Sequence, residues 1–141
     1  MAQITDIADA VVTELNAETF SMEFTAARLY RPDFELPEMK DLHVTVVPHG
    51  LEMTTAGRAL SQHDVQIDVA VQKKLDAADN SEIDSLMGLV EELAEFFRTK
   101  RQFGDAFWLR TENSPIYSQE HLGELRQFTS VLTATLRVVK P

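Results

Sequence analysis

Few side chains in this sequence are equipped for chemistry. Histidine occurs four times, at His43, His49, His63 and His121, and cysteine does not occur. Without cysteine there are no disulfides, no thiolate nucleophile and no cysteine-based zinc site. A metal would have to be held by His63, Asp64 and Asp68, completed by His43 or His49. The spacing argues against it: His63 and Asp64 are neighbours in an alternating segment and point to opposite faces. No HExxH or comparable motif occurs either. The histidines read as strand-surface residues. The serines lack a nucleophile-elbow context, and five glycines scattered singly make no phosphate loop. Glu91, Glu92 and Glu95 could serve as paired carboxylates, but they fall on the polar side of an amphipathic helix, where a solvated face is the plain reading. Phe96, Phe97, Phe103, Phe107 and Trp108 gather near the end of that helix. They read as core, with Trp108 beside Arg110 as a candidate interface anchor. No catalytic residue, metal ligand or cofactor is expected. A small metal-dependent hydrolase using His43, His63 and Asp64 is the enzyme alternative.

The stretch Gln62–Phe97 has to position most of these groups. Val65, Ile67, Val69 and Val71 alternate with Asp64, Gln66, Asp68, Ala70 and Gln72, a period of two that predicts a strand with one buried face. Ile83, Leu86, Met87, Val90, Leu93, Ala94 and Phe97 recur at three- and four-residue steps, which predicts a helix with one apolar stripe. Asn80 or Ser81 suits its N-terminal cap, Glu82 and Asp84 its positive end, and Arg98, Lys100 and Arg101 its negative end. Strand and helix each have one side to hide, so they are expected to form the centre of the core, with Leu86, Val90 and Leu93 facing the valines of the strand.

Around this pair, Ile4–Asn16 reads as a helix and Phe24–Tyr30 as a strand ended by Arg31-Pro32. The run from Arg31 to Asp41, with Pro32 and Pro37, reads as a loop. Leu42–Val47 reads as a strand stopped by Pro48 and Gly50, and Leu51–Thr55 as another beyond that turn. Ala56, Gly57 and Arg58 suit a hairpin tip. Thr54–Gln62 is small and polar, with Arg58 its only charge, and is a candidate assembly segment. After a break at Gly104 and Asp105, Phe107–Thr111 reads as a short strand. Glu112–Glu124 reads as a loop, with one helical turn near Gln119–Leu125. Gln127–Val139 is long, rich in β-branched residues and free of glycine and proline, which predicts a central strand. The whole is α+β: a mostly antiparallel sheet packed against one long helix, with a shorter N-terminal helix, in a single domain over residues 1–141.

The chain has 141 residues, 44% of them hydrophobic, and a net charge of −10. That suits one globular domain and excludes a disordered chain. An acidic chain lacks the basic face of a sequence-reading nucleic-acid binder. No run is long enough to span a bilayer, and the acids near the N-terminus do not suit a secretory signal. Residues 1–50 carry three Lys/Arg against nine Asp/Glu, whereas residues 101–141 carry five against four. The C-terminal portion could therefore meet an acidic partner, including the N-terminal half of another copy.

Taken together, ITDIADAVVTELN, FTAARLYRPDFELPEMKDLHVTVVP, HDVQIDVAVQKKL, SLMGLVEELAEFF and FTSVLTATLRVV resemble the tail terminator, or tail completion, family of long-tailed phages and prophages. The resemblance spans nearly the whole chain and rests on the pattern of strands and helices. It implies a compact α+β subunit that forms a ring, usually a hexamer. The ring caps the finished tail tube in the virion and provides the joint to the head. The implied partners are further copies of the chain, the tail-tube protein and a neck or head-completion protein. DNA only passes through the lumen, no membrane is involved, and assembly takes place in the host cytoplasm. The family has no active site to carry over. The candidate assembly residues Arg58, Trp108 and Arg110 come from the residues themselves. A head–tail connector is the alternative within the same class.

Overall fold

The computed structural model describes all of the chain except residues 1–2, 31–40, 76–79, 114–116, 119–121 and 123–126. Its elements in chain order are α1 (Gln3–Ala17), β1 (Ala26–Arg28), β2 (His43–Gly57), β3 (Leu60–Lys74), α2 (Asn80–Lys100), β4 (Gln102–Phe103), β5 (Ala106–Glu112) and β6 (Gln127–Lys140). The strands form one sheet in the order β1-β2-β3-β6-β5-β4. Every pairing is antiparallel except β1 with β2. The fold is therefore α+β, with β3 and β6 at the centre of a mostly antiparallel sheet. The loop expected before β2 and the helical turn expected near Gln119–Leu125 fall largely outside the described residues.

The alternation in β3 and β6 builds the inner face. Val65, Ile67 and Val69 lie opposite Leu136, Ala134 and Leu132, and all six are buried. Leu86, Leu89, Val90, Leu93 and Phe97 of α2 join the same core, as do Ile7, Ala8, Val11 and Leu15 of α1. Fully burying one Leu, Val or Phe side chain is worth about 1.5–3 kcal/mol, so these stripes are what holds the layers together.

The helices divide the sheet between them. α2 lies nearest β5 and β6, whereas α1 lies against β1, β2 and also β4. β1 and β4 are the two ends of the strand order, so the sheet curls until both approach α1. The β4–β5 turn passes under α1, where a β-carbon on Gly104 would sit 3.9 Å from that of Ala10. Gly104 has φ +61°, which glycine adopts without the penalty a side chain would bring. The core is thus shared by two helices, rather than centred on the β3–α2 pair alone.

Three local expectations change. β1 is three residues long, shorter than Phe24–Tyr30. β2 runs unbroken through Pro48, with a bulge between Pro48 and Gly50. β1 reaches only as far as Val46, so among the described residues Pro48 lies on an open edge beside a bulge, where a missing N–H removes no ladder bond. β4, which had no signal of its own, forms because Gln102 and Phe103 pair back onto Phe107 and Ala106 around the Gly104 turn.

Candidate functional site

The register separates the groups a metal-dependent enzyme would need. His43 pairs with Gln72, far along β3 from His63. At about 3.3 Å per residue the two histidines are on the order of 25–30 Å apart. His63 is on the inner face, buried at 9% exposure, with Nε2 2.9 Å from Ser61 Oγ. Its Nδ1 is buried and makes no hydrogen bond among the described residues. This corrects the surface reading: His63 shares the parity of Val65 and is covered with it. His49 is the exposed one, its Nδ1 2.8 Å from Asp68. His121 lies outside the described residues. Among the described residues, no three His, Asp or Glu side chains gather closely enough to hold a metal ion.

Asp64 and Asp68 instead belong to a polar ladder on the outer face. Arg137, directly opposite Asp64 on β6, donates to it from Nε at 2.8 Å and Nη2 at 3.1 Å. These hydrogen bonds hold the Asp64 carboxyl below the usual carboxylate range, against the opposing effect of burial. The charges of Arg137 and Arg110 act in the same direction. Asp68 accepts from Thr133 Oγ1 at 2.7 Å as well as facing His49. Both carboxylates are already engaged by neighbouring strands, and what they do is fix strand register.

The candidate assembly residues fall in different places. Arg58 sits at the β2–β3 turn, and every residue from Leu51 to Leu60 is exposed. Arg58 forms no ion pair among the described residues. Trp108 and Arg110 straddle a bulge in β5. Trp108 lies opposite Leu136 on the inner face, and Arg110 opposite Thr135 on the outer face. Trp108 is half-buried against the core and donates from Nε1 to Thr111 Oγ1 at 2.8 Å. Arg110 is exposed, 3.3 Å from Glu112. The two do not form one patch.

The aromatic cluster divides in the same way. Phe96, Phe97 and Phe103 pack on one another with ring centroids 5.2–5.7 Å apart. Phe107 points outward at 44% exposure, beside Arg137 on the outer face. Phe20 extends the cluster from the other side, 5.8 Å from Phe96.

That contact marks a feature the sequence did not reveal. A groove of about 730 Å³ runs between α2 and the segment that follows α1. Phe20 and Phe96 line it, together with Glu18, Glu91, Glu92 and Glu95, and Lys100 is the one cation in its lining. Ser21 pins one wall through bonds from its backbone N and its Oγ to the Glu92 carboxylate. Lys100 is engaged by Glu14 at 2.6 Å, and Glu95 by Arg98 at 2.7 Å. Glu91 is exposed and has no such partner among the described residues. The polar side of α2 was legible. Its acids become the rim of a groove because residues 18–21 fold back across the helix, which no local pattern encodes.

No helix among the described residues is long and apolar enough to cross a membrane. No protein-family model matches the chain, and no curated protein matches it.

Proposed function

We propose that this chain is a ring-forming virion subunit of the tail terminator type, which caps a completed tail tube and forms the joint to the head. One observation carries the reading: among the described residues, nothing pairs with the outer edge of β2 beyond Val46. β1 covers only Val44–Val46. Beyond it β2 continues to Gly57 with Leu51 47% and Met53 60% exposed. An open strand edge that also carries apolar side chains is a liability for a free monomer and a natural contact for a neighbour. A head-to-tail contact whose rotation closes makes a ring and covers the liability in every copy. In this reading α2 is the long helix that backs the sheet and α1 its shorter companion. The net charge of −10 suits a lumen through which DNA slides without sticking.

A head–tail connector on the other side of the same joint would share these features, and a tail-tube gene directly downstream would favour the terminator. The hydrolase alternative loses its support from the separation of His43 from His63 and from the engagement of Asp64 by Arg137. The test is solution mass by light scattering with electron microscopy of the purified protein, then addition of tail tubes. Rings that seat on tube ends are the expected result. A monomer at every concentration, or rings that ignore tubes, overturns it.

A further inference from the structure

The chain presents two surfaces that complement each other and sit apart on the molecule. One is the β2–β3 hairpin. Leu51 and Met53 face the same side as Val65 and His63, their partners in β3, and both are exposed. Leu60, which follows the turn and is also exposed, has the parity of Gln62 and Asp64 and faces the other side. Glu52 pairs with Asp64 and so lies on the opposite side. The tip carries one charge, Arg58. The turn itself is held in a demanding conformation, with Gly57 at φ +150° and Ala59 at φ +101°. It is a shaped projection, apolar on one side and cationic at its end.

The other surface is the groove on α2, with Phe20 and Phe96 in its lining and four carboxylates against one lysine. Its lysine and Glu95 already have partners, whereas Glu91 is exposed without one among the described residues. Phe96 is buried at the base, and the half-buried Phe20 is the ring that reaches the groove, so a ligand must bring apolar bulk for Phe20 and a cation for the rim. The hairpin brings both. No residue of the hairpin lines the groove of its own molecule.

We propose that the hairpin of one copy docks in the α2 groove of the next, with Leu51 and Met53 against Phe20 and Arg58 beside Glu91. This rests on the ring reading above and assigns its subunit contact. Donor and acceptor are different surfaces, so each copy gives one contact and receives one, as a closed ring requires. The Arg58 charge steers the approach and the apolar contact holds it, so salt weakens the first more than the second.

Charge reversal tests this on the full chain. Arg58→Glu alone and Glu91→Arg alone are each expected to weaken self-association by about tenfold or more at low salt. Both sites are exposed, so the melting temperature of the dilute monomer stays unchanged. The double variant Arg58→Glu/Glu91→Arg restores association, because it re-forms the pair in the opposite sense. A second measurement uses the absence of native cysteine. Copies carrying Thr55→Cys, at an exposed position on the Met53 side of the hairpin, are mixed with copies carrying Gly88→Cys, a groove position where an added β-carbon meets nothing within 4 Å. A short bismaleimide should join unlike copies in preference to like ones. If wild type assembles and neither reversal changes its mass, or if the double variant fails to recover, the hairpin is not the occupant and the ring closes through another face. If wild type stays monomeric at every concentration, the ring reading falls and this contact falls with it.

Discussion

β2 and β3 form one continuous ladder whose two ends differ in almost every respect. At the end where Val44 meets Val71, the inner valines are buried, and so are the outward-facing Thr45 and Ala70, at 1% exposure each. At the end where Met53 meets His63, β3 is still covered but β2 is bare. The alternation of residue types is the same throughout. Alternation tells which way a side chain points, whereas cover depends on what else reaches that point of the sheet. Apolar residues that keep the pattern after the cover has ended mark a surface a second molecule is expected to complete.

The sharpest way to test the contrast is to truncate a side chain of the helix that supplies cover and, separately, one at the bare end. Leu93 of α2 is fully buried in the core. Leu93→Ala should destabilise the monomer by roughly 2–5 kcal/mol in urea unfolding, and Phe97→Ala by about 3–5 kcal/mol. A loss below about 1 kcal/mol at Leu93, within the range of surface changes, would place it outside the core.

A smaller effect is expected at the outer ladder. Asp64→Asn removes the charge that Arg137 grips and should lower the melting temperature at pH 7 by a few °C. Folding lowers the Asp64 pKa, so its contribution is fully present above about pH 4, the unfolded value. It is lost as pH falls through the still lower folded value. The gap between wild type and variant should therefore close on acidification below pH 4. A gap that stays constant with pH would mean that the charge is not what matters.

His63 is the covered residue of the bare end, opposite the exposed Met53. One ring nitrogen is buried with no hydrogen-bond partner among the described residues, so exchanging the ring for a comparable apolar group removes that group along with one bond to Ser61. His63→Leu should change stability by no more than about 1 kcal/mol in either direction. Purified His63→Leu and wild type should also carry the same zinc content by elemental analysis. Stoichiometric zinc lost on substitution would revive the hydrolase.

The smallest effect belongs to the bare end. Met53→Ser should alter unfolding of the dilute monomer by less than about 0.5 kcal/mol, as at other exposed sites. It should still weaken self-association in the light-scattering titration. A large loss of monomer stability would show that the hairpin is supported from within its own molecule.

Much of this architecture was legible without coordinates. The period-two runs gave β3 and β6 to within two residues at each end, and the three- and four-residue steps gave α1 and α2. Those signals are local: a strand or helix sets the direction of each side chain relative to its own backbone, and the residue types record that direction. The position of Arg58 at a hairpin tip was legible for the same reason. What the tertiary structure decided was cover. Whether His63 is surface or core depends on the elements that close over the inner face. Pro48 is tolerated inside β2 because β1 stops short of it. Glu91 and Glu95 line a groove because residues 18–21, some seventy positions earlier, cross the face of α2. Trp108 and Arg110 part company because one bulge in β5 reverses the parity between them. Each outcome depends on a neighbour distant in sequence, and periodicity carries no information about which neighbour that will be.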